Sequence, residues 1–195
     1  MKDGFFALIA RMRNIRRWGL MRNSFEENLQ EHSHMTAVLA HALAVIRRDV
    51  FGGEADPDRA AAAALFHDAG EILTGDLPTP VKYLNRDITG AYQAVERQAE
   101  AQLLTMLPEP MRPSYSALLK AEDPELHALV KAADKLSAYI KCIEELRGGN
   151  QEFRSAEAQL RGALEASPLP EVRYFLEHFL PSFGMTLDEL TKEGS

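Results

Sequence analysis

A single cysteine, Cys142, is all that the 195 residues offer for disulfide chemistry, so no intrachain bridge can form and nothing calls for an oxidising compartment. Long apolar runs are missing too. The longest nearly uninterrupted one, Ala37 to Ile46, is broken by His41 and falls short of the roughly 20 residues that a membrane span needs. Phe5 to Ala10 is apolar, but Arg11, Arg13, Arg16 and Arg17 follow at once and leave no room for a signal-peptide core. Positive charge is in deficit, with 22 Lys and Arg against 29 Asp and Glu, for a net charge of −7. That balance argues against a protein built to coat a nucleic acid polymer or an anionic membrane, because neutralising phosphates takes an excess of cations. Low-complexity tracts, internal repeats and dividing linkers are absent as well. The expectation is a soluble, cytoplasmic chain forming one domain over residues 1–195.

What the sequence does hold is helix punctuation. Asn28 with Glu31, and Thr186 with Glu189, have capping-box spacing, while Asp56-Pro57 and Asp123-Pro124 place a capping carboxylate before proline at the first helical position. Gly52-Gly53 and Gly148-Gly149 mark helix ends. These signals predict helices near 3–14, 29–49, 57–73, 87–106, 110–120, 124–147, 151–166 and 171–180, with a short last one from 187, and hence an all-α fold. The stretch Thr74 to Pro80 carries two prolines and is expected to be a stiff loop able to carry a site.

Six histidines are present. On a helical wheel His32 shares its side with Leu39, Leu43 and Ile46, whereas His34 and His41 point away. His67 and Asp68 follow an alanine pentad, and Glu71 lies on the edge they share. Three ionisable groups on one stripe of a buried helix need a partner or a metal. Asp134 borders an apolar arc of Leu126, Leu129, Ala133 and Leu136, and can either join an ion or pair with Lys131 or Lys135. Together His32, His67, Asp68 and Asp134 would offer two imidazoles and two carboxylates, a set suited to Mn, Fe, Co, Ni or Zn.

The order His, His-Asp, Asp resembles the HD-domain phosphohydrolases, an all-α superfamily. The chain is more specifically similar to the bacterial HD-domain 5'-deoxynucleotidases in Arg17-Trp18, Leu20 to Asn23, Glu31-His32-Ser33, His67 to Glu71, Thr74 to Lys82 and Ala133-Asp134. The resemblance implies hydrolysis of deoxyribonucleoside 5'-monophosphates to deoxynucleoside and phosphate, with selection against ribonucleotides, by a cytoplasmic homodimer using one divalent ion per subunit, cobalt, manganese or copper. It places His32, His67, Asp68 and Asp134 on the metal and Arg17 on the phosphate. Trp18 falls near the sugar, and Asp76, Leu77, Pro78 and Thr79 line the substrate, whose site His32 and Asp134 also border.

The chemistry agrees with that implication. A phosphomonoester dianion repels nucleophiles, so its charge must be neutralised and a water positioned, work for a Lewis acid and a fixed guanidinium. Glu71 and Asp76 are then the acid–base pair, in either order. The competing readings are another HD phosphohydrolase, acting on nucleoside triphosphates or cyclic nucleotides, and a catalytically silent nucleotide-binding module. A triphosphatase would want more cations than Arg17 with Lys82 or Arg22.

Overall fold

The computed structural model describes residues 3–82, 84–120 and 123–191, with the side chains of residues 79 and 80 outside that set. Its helices are α1 (Phe5–Ile9), α2 (Leu29–Val45), α3 (Pro57–Phe66), α4 (Glu71–Thr74), α5 (Thr79–Lys82), α6 (Arg86–Thr105), α7 (Arg112–Lys120), α8 (Pro124–Arg147), α9 (Arg154–Glu165), α10 (Pro170–His178) and α11 (Leu187–Thr191). Among the described residues no strand forms beyond an isolated bridge between Arg16 and Asn28. None of these helices is long and apolar enough to cross a membrane.

The caps work as their side chains dictate. Asn28 accepts from the Gln30 and Glu31 N–H groups, and Glu31 reaches back to the Asn28 N–H at 3.2 Å, which fixes the start of α2. Asp56 and Asp123 cap α3 and α8 ahead of their prolines. Two expectations need correcting. The helix predicted over 57–73 stops at Phe66, and residues 67–70 form tight turns, with Ala69 N–H bonded to Phe66 O and Glu71 N–H to Asp68 O, both at 3.0 Å. A close approach accompanies the break, for a Cβ at Gly70 would lie 3.3 Å from the Glu96 carbonyl oxygen. The loop expected through Pro80 holds only to Pro78, because proline is tolerated in the first turn of a helix and α5 starts at Thr79.

α2, α3 and α8 pack together, with α9 against α8 and α10 against α2. Small buried side chains at Ala60, Ala63 and Ala64 let α3 approach its neighbours. Leu39, Leu43, Leu129, Leu136, Val172 and Phe175 fill this main core, each fully buried leucine contributing about 2–3 kcal/mol. A second cluster gathers Phe5, Ala69, Leu103, Leu107 and Leu119, with Phe5 edge-on to Tyr115 at 5.0 Å. Ala64 belongs to the first cluster and Ala69 to the second, so His67 and Asp68 sit at the seam between them.

The segment from Arg22 to Phe25 is tied down by the buried carboxylate of Glu145. Its oxygens accept from Lys141 Nζ (2.5 Å), Asn150 Nδ2 (2.8 Å) and Ser24 N (2.9 Å). Burial alone would raise the Glu145 pKa, yet these bonds hold it down at about 2. A carboxylate depressed on folding stabilises the protein above its unfolded value of about 4.5 and loses that contribution as pH falls toward 2. Glu145→Gln is therefore expected to cost about 3 kcal/mol at pH 7 and about half of that at pH 3, measured by urea unfolding of both proteins. A gap that stays constant with pH would remove the clamp from the account.

Candidate metal and phosphate site

α2 presents His32, the turn after α3 presents His67 and Asp68, and α8 presents Asp134. One ligand atom from each lies within 4.8 Å of all the others. His32 Nε2 is 3.1 Å from Asp134 Oδ1 and 3.6 Å from Asp68 Oδ2, and His67 Nε2 is 2.9 Å from Asp68 Oδ2 and 3.9 Å from Asp134 Oδ1. Ligands bound at about 2.0–2.2 Å around one ion stand roughly 3 to 4 Å apart, which is the spread seen here.

The tautomer of His67 tests the fit. Its Nδ1 meets the Ala64 carbonyl oxygen at 2.7 Å, and since a carbonyl only accepts, Nδ1 carries the hydrogen. In the neutral ring, Nε2 is then the lone-pair side. It is buried and, despite its proximity to Asp68, lacks hydrogen-bond alignment with any partner. Burial opposes a charge on this ring, but Asp68 and Asp134 push its pKa up to about 10. His67 and His32 in turn hold Asp68 and Asp134 below the ordinary carboxylate range against the effect of burial. The cluster thus calls for positive charge at one point, and two nitrogens with two carboxylate oxygens, no thiolate among them, suit a divalent transition ion. His32 Nδ1 lies 3.1 Å from Ser137 Oγ, a contact that leaves Nε2 facing the cluster when Nδ1 donates.

Beside the tetrad lies Arg17, whose side chain is 12% exposed, with Nη1 3.7 Å from Asp68 and 3.9 Å from Asp76. Burial works against its charge, yet Asp68, Asp76 and Asp134 raise its pKa. Burial, then Asp68 and Asp76, push Glu71 up to about 9, with Lys82 at 3.7 Å acting the other way. Burial raises Asp76 too, and Arg17 opposes the rise. Trp18 is partly buried and packs on Phe153 at 5.2 Å between ring centroids. Its φ of +57° is left-handed, a conformation that costs a residue with a β-carbon of order 1 kcal/mol.

The structure brings His32, His67, Asp68, Asp134, Arg17, Glu71 and Asp76 together. Leu77 and Pro78 follow Asp76 in the loop, partly buried, and the side chain of Thr79 lies outside the described residues. The other four histidines, His34, His41, His127 and His178, are exposed and apart from the cluster. Asp134 turns Oδ1 toward His32, into the cluster, and Oδ2 toward Lys131, 3.9 Å away. Sequence reasoning missed Ser137 and Glu27. Ser137 falls three residues after Asp134, on the same face, and that spacing was a usable signal. Glu27, which accepts from both Arg17 and Trp18, had none, since Glu26-Glu27 reads as ordinary surface charge.

The family model described as 5'-deoxynucleotidase YfbR-like matches residues 4–183. A 5'-deoxynucleotidase of Shewanella oneidensis is 49% identical over 189 residues, covering 96% of this chain and 97% of that protein. Among solved structures, an HD-domain phosphohydrolase from Listeria innocua superposes with a TM-score of 0.80 at 24% identity, covering 92% of this chain and 87% of the other. A cyanophage S-2L HD phosphohydrolase, described with dA and one catalytic zinc ion, gives 0.63 at 22% identity, with coverages of 92% and 96%.

Proposed function

The chain belongs to the YfbR-like 5'-deoxynucleotidase family and is a phosphoric monoester hydrolase, and from that premise we propose how its residues divide the work. The observation that carries the reading is the convergence of four ligand atoms within 4.8 Å beside one buried guanidinium. We assign His32, His67, Asp68 and Asp134 to a divalent ion. When bound, the ion supplies Lewis acidity, drawing charge from phosphoryl oxygens and lowering the pKa of water.

Arg17 grips the phosphate of a deoxyribonucleoside 5'-monophosphate through the guanidinium face turned toward Asp68 and Asp76. Glu71 takes a proton from the attacking water, because Asp68, on the ligand side, is its strongest charged neighbour. Asp76, whose strongest charged neighbour is Arg17, delivers a proton to the departing O5'. Burial raises both pKa values, and the positive charge of a bound ion would draw Glu71 back from about 9 toward neutrality, where it can accept a proton. Leu77, Pro78 and Thr79 line the nucleoside.

A monophosphate fits better than a triphosphate. Lys82 is engaged by Glu96 at 2.9 Å, and Arg22 is bound to Glu152 at 2.8 Å with its side chain 92% exposed. Of the three cations weighed from sequence, Arg17 alone contacts the tetrad. The ion is cobalt, manganese or copper(II) on this reading, since the set offers imidazoles and carboxylates and no thiolate that would select copper(I). The buried Cys142 thiol, pushed up to about 12 by burial, is consistent with a cytoplasmic protein. The homodimer is supported by exposed Val38, Leu65 and Leu73, and a monomer in sedimentation at micromolar concentration would remove it.

Phosphate release from deoxy- and ribonucleoside monophosphates across a panel of divalent ions tests the assignment. Pyrophosphate or triphosphate release from triphosphates with no turnover of monophosphates would overturn it. The same assay tests selection for deoxyribose. A rigid indole where the 2'-hydroxyl would project rejects it by overlap and by offering no acceptor. Trp18→Ala is expected to raise ribonucleotide relative to deoxyribonucleotide kcat/KM by about tenfold to a hundredfold. An unchanged ratio would take Trp18 out of this role.

A further inference from the structure

Glu27 stands directly before the cap of α2, and its side chain is 12% exposed. A single oxygen, Oε2, accepts from Arg17 Nε at 3.2 Å and from Trp18 Nε1 at 2.9 Å. The Glu27 backbone carbonyl also accepts from the Arg17 N–H at 3.0 Å. One residue therefore holds two adjacent side chains and the backbone of the first. The left-handed backbone at Trp18 makes such a hold necessary, since nothing intrinsic to the chain favours that conformation for an indole.

In a nucleotide the phosphate and the 2'-carbon are a fixed number of covalent bonds apart. A wall that excludes a 2'-hydroxyl discriminates only if its distance from the phosphate anchor is fixed as well. Slack of an ångström would let the hydroxyl in. Glu27 Oε2 removes that slack by bonding anchor and wall to one atom. We infer that Glu27 is a specificity-determining positioning residue, a ruler that sets the spacing between the Arg17 guanidinium and the Trp18 indole. The inference rests on the roles proposed above for Arg17 and Trp18.

Trp18 is the chain's only tryptophan, so indole fluorescence of the intact, metal-loaded enzyme reports the fork without reference to turnover. The test compares Glu27→Ala, Glu27→Gln and Trp18→Phe with the double variant of Glu27→Ala and Trp18→Phe. Glu27→Ala is expected to lower the deoxy-to-ribo ratio of kcat/KM about tenfold, and to make the indole more accessible to acrylamide, with metal content unchanged. Glu27→Gln keeps one oxygen within reach of both donors, and so keeps the spacing, while weakening the charged bond to Arg17. It should raise KM for deoxynucleotides while leaving the ratio within about twofold and the quenching at the wild-type level. In the Trp18→Phe background, Glu27→Ala should change the ratio no further. A Glu27→Ala protein with wild-type ratio and wild-type quenching would overturn the inference, as would a further change of ratio in the Trp18→Phe background. Should the wild-type enzyme turn over no deoxynucleoside monophosphate, the functional reading fails. The quenching arm then decides by itself whether Glu27 holds the indole.

Discussion

Alanine at position 68 is expected to lower turnover by about four orders of magnitude and to abolish the response of the protein to chelators. Asp68 is the common neighbour of the site, reaching His67 Nε2 at 2.9 Å, His32 Nε2 at 3.6 Å and Arg17 Nη1 at 3.7 Å. On the assignment proposed above, its loss removes one of four ligands and one of the two negative charges that would offset a divalent ion. The remaining three groups then face a cation with a single carboxylate between them, and affinity should fall beyond useful loading. Stability offers a second readout that turnover cannot mimic. An ion present at about 100 times its dissociation constant stabilises the folded state by about 2.7 kcal/mol, worth several degrees in Tm for a chain of this length. Exhaustive chelation should therefore lower the Tm of the wild-type protein and leave that of the Asp68→Ala protein where it was. Wild-type turnover surviving exhaustive chelation would contradict the metal assignment, and so would equal Tm shifts in the two proteins.

Much of this was legible before any coordinates, for identifiable physical reasons. Capping side chains act over three residues, so Asn28 with Glu31 and Asp123 with Pro124 announce their helices locally. The buried face of α2 follows from its period, which set His32 among leucines and His34 and His41 outside. Where long-range contact decides, local pattern fails. The turns over 67–70 lie in a sequence with good helical propensity, and the close approach of Gly70 to the Glu96 carbonyl is tertiary. The left-handed Trp18 is likewise held from a distance, by Glu27 and Phe153. Asp134 could not be settled by spacing because its two oxygens serve different partners, Oδ1 facing His32 and Oδ2 facing Lys131. That three separate segments bring four ligand-type atoms within 4.8 Å is a property of the packed helices; the chemistry of the residues and the family resemblance grouped them, and periodicity alone could not.

Arg17 carries the second large effect, and its geometry explains why lysine cannot replace it. The guanidinium is used on two sides at once, Nε toward Glu27 and Nη1 toward Asp68 and Asp76. With the Nε edge fixed, the remaining N–H groups keep one orientation and can present a planar, two-pronged face to phosphate. Arg17→Ala is expected to lower kcat/KM on deoxynucleoside monophosphates about a thousandfold, part of it in KM because the phosphate is charged before the reaction begins. It also strips Asp76 of its nearest opposing charge, since Arg17 is the main influence keeping that carboxyl down against burial. The alkaline limb of the pH–rate profile, which a general acid sets, should move upward in the free enzyme as a result. Arg17→Lys restores a charge but has no Nε for Glu27, so the ammonium can serve the phosphate or the carboxylate fork but not both. It should recover less than about a tenth of wild-type kcat/KM. Steady-state kinetics on the three proteins at several pH values decide the matter. A lysine variant with near wild-type activity would show that position 17 supplies only charge, and would undo the oriented clamp.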